Sequence, residues 1–237
     1  MFDHRKYKPF QAIDIKDRTW PDQVITAAPT WCSVDLRDGN QALIEPMSVA
    51  QKKKMFGLLL EVGFKEIEVG FPAASQPDFD FVRGLIKEDK VPDDVTIQVL
   101  TQARPELIQR SFESLKGARR AIMHVYNSTS VVQREKVFKT DRAGIIDIAV
   151  AGAREVKRCA ELAPKTEWVF QYSPESFTGT ELDFAVEVCD AVTAVWKPTA
   201  DNPVIINLPS TVEMATPNIY ADQIEWFCRH VKHRDAV

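Results

Sequence analysis

Short apolar runs alternate with longer amphipathic stretches along most of this chain, and that alternation predicts its architecture. Residues 32–36 read as a strand, and Ser48 with Gln51 three positions later reads as a capping box opening a helix that ends near Gly63. The unit then repeats. Residues 66–69 read as a strand with a helix from Pro77, and 95–100 as a strand with a helix over 105–115, both prolines suiting a first helical turn. Strands over 121–126, 168–172 and 204–208 precede helices over about 141–162, 181–192 and 219–231. Six βα units follow, without long linkers, an initial strap at residues 1–30 that carries Tyr7, Trp20 and several prolines but no clear period. Strict strand–helix alternation predicts an α/β fold with a parallel sheet. No Gly-x-Gly-x-x-Gly follows the first strand, and polar residues gather after several strands, which favours an incomplete TIM (β/α)8 barrel over a dinucleotide-binding layer. The organisation expected is therefore a strap at 1–30 and a partial barrel at 31–237, short of its last units.

Composition narrows the function. With 45% hydrophobic and 27% charged residues the chain can fill a globular core. A net charge of -4 and a pI near 5.7 supply no basic field for nucleic acid or an anionic membrane. No stretch approaches the ~18 apolar residues of a span, and the first residues lack an apolar signal core, so a cytoplasmic protein is expected. The four cysteines (Cys32, Cys159, Cys189 and Cys228) form no Cys-x-x-Cys pair and read as reduced, buried thiols.

Candidate chemistry concentrates in Asp35-Leu36-Arg37-Asp38-Gly39-Asn40-Gln41, where the first strand passes into its loop. Asp38 offers a hard oxygen ligand to a divalent cation, Arg37 can stabilise charge developing on a carbonyl oxygen, and Gly39 lets the backbone turn close to a ligand. From composition alone, an exposed Arg–Asp pair beside a turn glycine explains these residues equally well. His230 and His233 sit among Arg229, Lys232 and Arg234 at a helix C-terminus, where positive side chains complement the dipole; a metal site there is disfavoured. The run Lys52-Lys53-Lys54 reads as a solvated helix face.

Residue by residue, 35–41 resembles the signature of the DRE-TIM metallolyase family, which includes isopropylmalate, homocitrate and citramalate synthases and hydroxymethylglutaryl-CoA lyase. Lys8-Pro9-Phe10, Asp17-Arg18-Thr19-Trp20-Pro21 and the run from Trp31 to Pro46 look like the longer isopropylmalate synthases in particular. By that resemblance Asp38 would bind the metal (Mg, Mn or Zn), Arg37 would polarise a keto oxygen, and Gln41 would shape the mouth. Glu68 matches the strand-two glutamate, a partner of Arg37 or of substrate. His124, Tyr126 and Asn127 match a substrate-contacting motif on strand four, Ser173 and Glu175 one on strand five that takes part in acid–base chemistry, and Thr211 a substrate-carboxylate contact after strand six. Read without the family, these are a rim carboxylate, a core histidine, a loop carboxylate and a helix cap. The resemblance implies condensation of acetyl-CoA with 3-methyl-2-oxobutanoate to 2-isopropylmalate and CoA, in leucine biosynthesis, by a homodimer when full length. It also places two histidine ligands in a His-x-His-Asn motif past Val237. Expectation therefore divides between a truncated synthase, a non-catalytic half-barrel that pairs with another chain, and a citramalate or homocitrate synthase.

Overall fold

In the computed structural model, residues 3–7 and 9–237 are described; Met1, Phe2 and the Lys8 of Lys8-Pro9-Phe10 lie outside the described residues. Six strands form one parallel sheet in sequence order: β1 Cys32–Ser33, β2 Glu66–Gly70, β3 Thr96–Gln102, β4 Arg120–Ser128, β5 Glu167–Glu175 and β6 Val204–Ile206. The helices that follow them are α1 Val49–Val62, α2 Gln76–Lys87, α3 Pro105–Leu115, α4 Arg142–Leu162, α5 Leu182–Trp196 and α6 Pro217–His230. The sheet curls into a half-barrel, the incomplete barrel expected.

Period-two alternation divides each central strand between two environments. Ile67, Val69, Ile97, Val99, Ala121, Met123, Val125, Phe170 and Tyr172 join the apolar cluster beneath the helices, with Phe81, Leu85, Ile108, Ile145 and Phe184. The intervening Glu68, Gln98, His124, Gln171 and Ser173 are also buried, yet polar. A row of buried polar groups on the face away from the helices marks where chemistry can sit.

Local signals close the units as expected. Ser48 and Gln51 form the capping box of α1, Gly63 ends it in the left-handed region at φ 103°, and Asp141 caps α4 by accepting from Gly144 N at 3.0 Å. The first strand is shorter than expected. Only Cys32–Ser33 pair with β2; Asp35–Gly39 instead wind into a π-helical turn in which Val34 O accepts from Arg37 N, Asp38 N and Gly39 N at 3.2, 2.9 and 3.1 Å. Ser33 Oγ donates to Asp35 Oδ2 at 2.6 Å, drawing the chain out of the strand at that point. The buried Leu36 satisfies either geometry, which is why alternation misread the turn.

The lysine run needs a second correction. Lys52 is 1% exposed, its Nζ paired with Asp78 and lying 5.6 Å from the centre of the Phe81 ring, whereas Lys53 is half-buried and Lys54 exposed. Position 52 falls on the inner stripe of α1 with Phe56 and Leu59. Of the four free cysteines, Cys159 and Cys189 are buried and Cys32 and Cys228 only half-buried. No described helix is long and apolar enough to cross a membrane.

The segment before β1 reaches across to α6. Arg18 Nε and Nη2 donate to the two oxygens of Asp222 at 2.8 and 2.9 Å, and Trp20 Nε1 donates to Asp222 at 2.7 Å. Glu225 accepts from the amides of Thr19 and Trp20, and Arg229 pairs with Asp17 at 2.9 Å.

Candidate active site

The C-terminal ends of the strands and the loops after them surround an open cleft of about 580 Å3. Arg37, Asp38, Gln41, His124, Tyr126, Ser173, Glu175 and Thr211 all line it. Residues up to 174 positions apart in sequence, Arg37 and Thr211 being the extremes, thus meet at one mouth. Glu68 lies beneath its floor at 0% exposure.

Glu68 organises the centre. One oxygen accepts from Arg37 Nε; the other accepts from Gln98 Nε2 and lies 2.7 Å from His124 Nδ1. His124 Nε2 lies 2.6 Å from Ser173 Oγ, which also accepts from Asn207 Nδ2 at 2.8 Å. Burial alone would push the Glu68 carboxyl up, but the contacts from His124, Arg37 and Gln98 outweigh it and hold the group down to about 2. The buried glutamate is therefore ionised, and it fixes the Arg37 guanidinium by its Nε edge. Arg37 Nη1 then reaches Asp38 Oδ1 at 2.8 Å at the mouth.

Glu175 at the far side of the cleft accepts from two hydroxyls, Ser128 Oγ and, at 2.8 Å, Ser176 Oγ. Thr211 Oγ1 accepts from Ser176 N at 3.1 Å, which ties the β6–α6 loop to the end of β5. It does not cap α6, whose N-cap is Thr216. Tyr126 packs edge-on against Phe71 with ring centroids 6.4 Å apart. Asn127 departs from the expectation of a substrate contact: it is buried, lines no part of the cleft, and its Oδ1 accepts from Tyr172 OH at 2.8 Å. Strand alternation explains this, because Asn127 is one position out of phase with His124 and Tyr126.

Gln98, Asn207 and Phe71 belong to the site and escaped the sequence reading. Gln98 could have been found by phase, since a polar residue in an otherwise apolar strand must have a partner. Asn207 stands at a strand end within the quoted Asn207-Leu208-Pro209-Ser210-Thr211 segment, where Thr211 drew attention away from it. Cys32 is no nucleophile candidate, because burial, with Glu68 and Glu66 close by, pushes its thiol up to about 12.

For a divalent cation the chain offers Asp38, whose side chain is 64% exposed at the mouth. Among the described residues no group of three or more His, Cys, Asp and Glu is placed to hold an ion. The residues present do not, by themselves, make a metal site.

The HMGL-like family model matches residues 28–237. The 2-isopropylmalate synthase of Clavibacter sepedonicus is 63% identical over 235 residues, which is 98% of this chain and 40% of that protein. The 2-isopropylmalate synthase of Rhodospirillum rubrum is 64% identical over 234 residues, 98% of this chain and 42% of that protein. The chain thus spans about two fifths of the length of these curated relatives. Among solved structures, the HMG-CoA lyase of Bacillus subtilis aligns with a TM-score of 0.59 at 16% identity, over 84% of this chain and 63% of that one, a likeness of fold. With the family pattern matched from the last residues before β1 through α6, and with the half-barrel and its polar cleft in place, the chain belongs to the HMGL-like family.

Proposed function

We propose that this chain is the N-terminal part of the catalytic barrel of a 2-isopropylmalate synthase, a cytoplasmic enzyme that is a homodimer when full length. It would join acetyl-CoA to 3-methyl-2-oxobutanoate and, with one water, release 2-isopropylmalate and CoA. The observation that carries this is the Arg37 guanidinium, anchored by buried Glu68 and facing a cleft, within a stretch about 63% identical to proteins named for that activity.

In this reading Arg37 stabilises the charge that develops on the keto oxygen as the new carbon–carbon bond forms; its position is set beforehand by Glu68, so little reorganisation is needed. Ser173, His124 and Tyr126 form the wall against the keto acid, and Gln41 and Thr211 the rim. A base removes a proton from the acetyl methyl group, the resulting carbon attacks the keto carbon, and water then cleaves the thioester. Glu175 takes part in these proton transfers, its carboxylate oriented by Ser128 and Ser176. Asp38 is this region's contribution toward a divalent ion (Mg, Mn or Zn), a site that other groups of the full-length protein must complete.

Thiol release by the full-length protein, with acetyl-CoA, 3-methyl-2-oxobutanoate and a divalent metal, tests the reading. Arg37→Ala should lower kcat by about 10²–10³-fold, the usual cost of removing one donor to a developing oxyanion. Full activity in that variant and in Asp38→Ala removes these residues from the site, and a preference for pyruvate removes the assigned substrate.

A further inference from the structure

Asn207 follows β6 directly, and the function above gives its side chain nothing to do. Its backbone N–H donates to Tyr172 O at 2.9 Å, so its position continues the β5–β6 ladder. Its Nδ2 donates to Ser173 Oγ at 2.8 Å. A hydroxyl carries one proton. Having accepted from Asn207, Ser173 directs that proton to His124 Nε2, 2.6 Å away. Nδ1 of the same ring lies 2.7 Å from the ionised Glu68, where a bare nitrogen would set lone pair against lone pair. Nδ1 therefore carries a proton in every arrangement. Only Nε2 is open to choice, and residue 207 makes it: a donor there leaves Nε2 bare, whereas an acceptor turns the Ser173 hydroxyl around and calls for a second ring proton.

We propose that Asn207 is a positioning residue that keeps the His124 ring neutral, protonated at Nδ1 and bare at Nε2, by donating to Ser173. This deepens the functional reading above and rests on it for the identity of the ligand, though not for the state of the ring. The charged groups about the ring are Glu68 from β2 and, across that carboxylate, Arg37 from the turn after β1; Gln98 on β3 and Ser173 on β5 are neutral. With a neutral ring, Arg37 is the only cation balancing Glu68, and the guanidinium stays anchored. An imidazolium would compete for the same carboxylate and add one positive charge to a cleft that must receive a keto-acid anion. The amide at 207 thus sets the charge of the site from a strand that contributes no ionisable group to the network.

Histidine-ring 15N spectra of the full-length protein, labelled with [15N]histidine and recorded without substrate, test this. The His124 signals are identified by their loss in His124→Gln. The wild-type ring at pH 7–8 should show one protonated nitrogen, Nδ1, and one bare nitrogen, Nε2. Asn207→Asp keeps the shape but can only accept; both ring nitrogens should then be protonated, with a titration midpoint more than about one pH unit above that of the wild type. A wild-type ring that is doubly protonated at pH 8, or protonated at Nε2 alone, overturns the proposal. So does an Asn207→Asp ring still bare at Nε2 at pH 7. If Asn207→Asp does not fold, the wild-type spectrum alone decides. Because these spectra need no turnover, a failed thiol-release assay leaves the result standing, and a contrary ring state leaves the proposed activity standing.

Discussion

Replacing Lys52 by Met tests whether a lysine that sequence alone assigns to solvent is a structural cation. Its Nζ pairs with Asp78 at 1% residue exposure, while the Asp78 side chain is 16% exposed and keeps a second bond, Oδ2 accepting from Phe71 N at 2.8 Å. Removing one partner of a buried pair costs about 3–5 kcal/mol, because the other charge is left without compensation. The partial exposure of Asp78 and its remaining amide donor place this case near the lower end, at about 3 kcal/mol, roughly a hundredfold in the folding equilibrium. Met fills the volume of the lysine stem, so little of the loss should come from a cavity. Urea unfolding followed by circular dichroism reads it: the midpoint should fall with the slope unchanged. Adding Asp78→Asn to Lys52→Met should recover most of the loss, because the amide oxygen can still accept from Phe71 and no charge is stranded. A loss below about 1 kcal/mol for Lys52→Met would refute the argument, being the value of an exposed lysine.

Two further outcomes follow from buried groups elsewhere. Glu68 titrates at about 2 in the folded chain, against 4.5 as its ordinary value, so the stability it contributes is present above pH 4.5 and drains away as pH falls toward 2; Glu68→Gln should flatten the acid limb of unfolding in that window, and an unchanged limb counts against the buried ion network. Gly152→Ala should lower the melting temperature although alanine is the better helix former, since its Cβ would sit 2.8 Å from Ala103 Cβ and 3.2 Å from Ala103 Cα; overpacking of about 1–3 kcal/mol exceeds a propensity gain of about 1 kcal/mol, and a raised melting temperature would show that α4 can shift away from the β3–α3 loop.

The barrel's units were legible in the sequence because each is signalled locally. The α3 boundaries of 105–115 and the Ser48–Gln51 box need only neighbouring residues to be read, and the structure agrees at both. Burial of a charge is not local. Nothing near Lys52 announces Asp78, which arrives 26 residues later on another helix. The turn at Asp35–Gly39 was hidden for a different reason: Leu36 is buried in either conformation, and only the gathering of three amides on Val34 O distinguishes them. The cleft residues were legible through resemblance, which carries positions but not directions. That is why Asn127 was grouped with His124 and Tyr126, whose side chains lie on the opposite face of β4, and why Asn207 passed without a role.

The contacts between Asp17–Trp20 and α6 also impose an order on the chain's history. Arg18 and Asp222 are 204 residues apart, and at about 5–20 residues per second a ribosome needs roughly 10–40 s to deliver the second after the first. Through that interval the indole of Trp20 and the guanidinium of Arg18 have no Asp222 to meet, while five βα units can already fold and stack behind them. The earliest segment made is thus among the last to find its place, and its docking signals that the sixth unit has arrived.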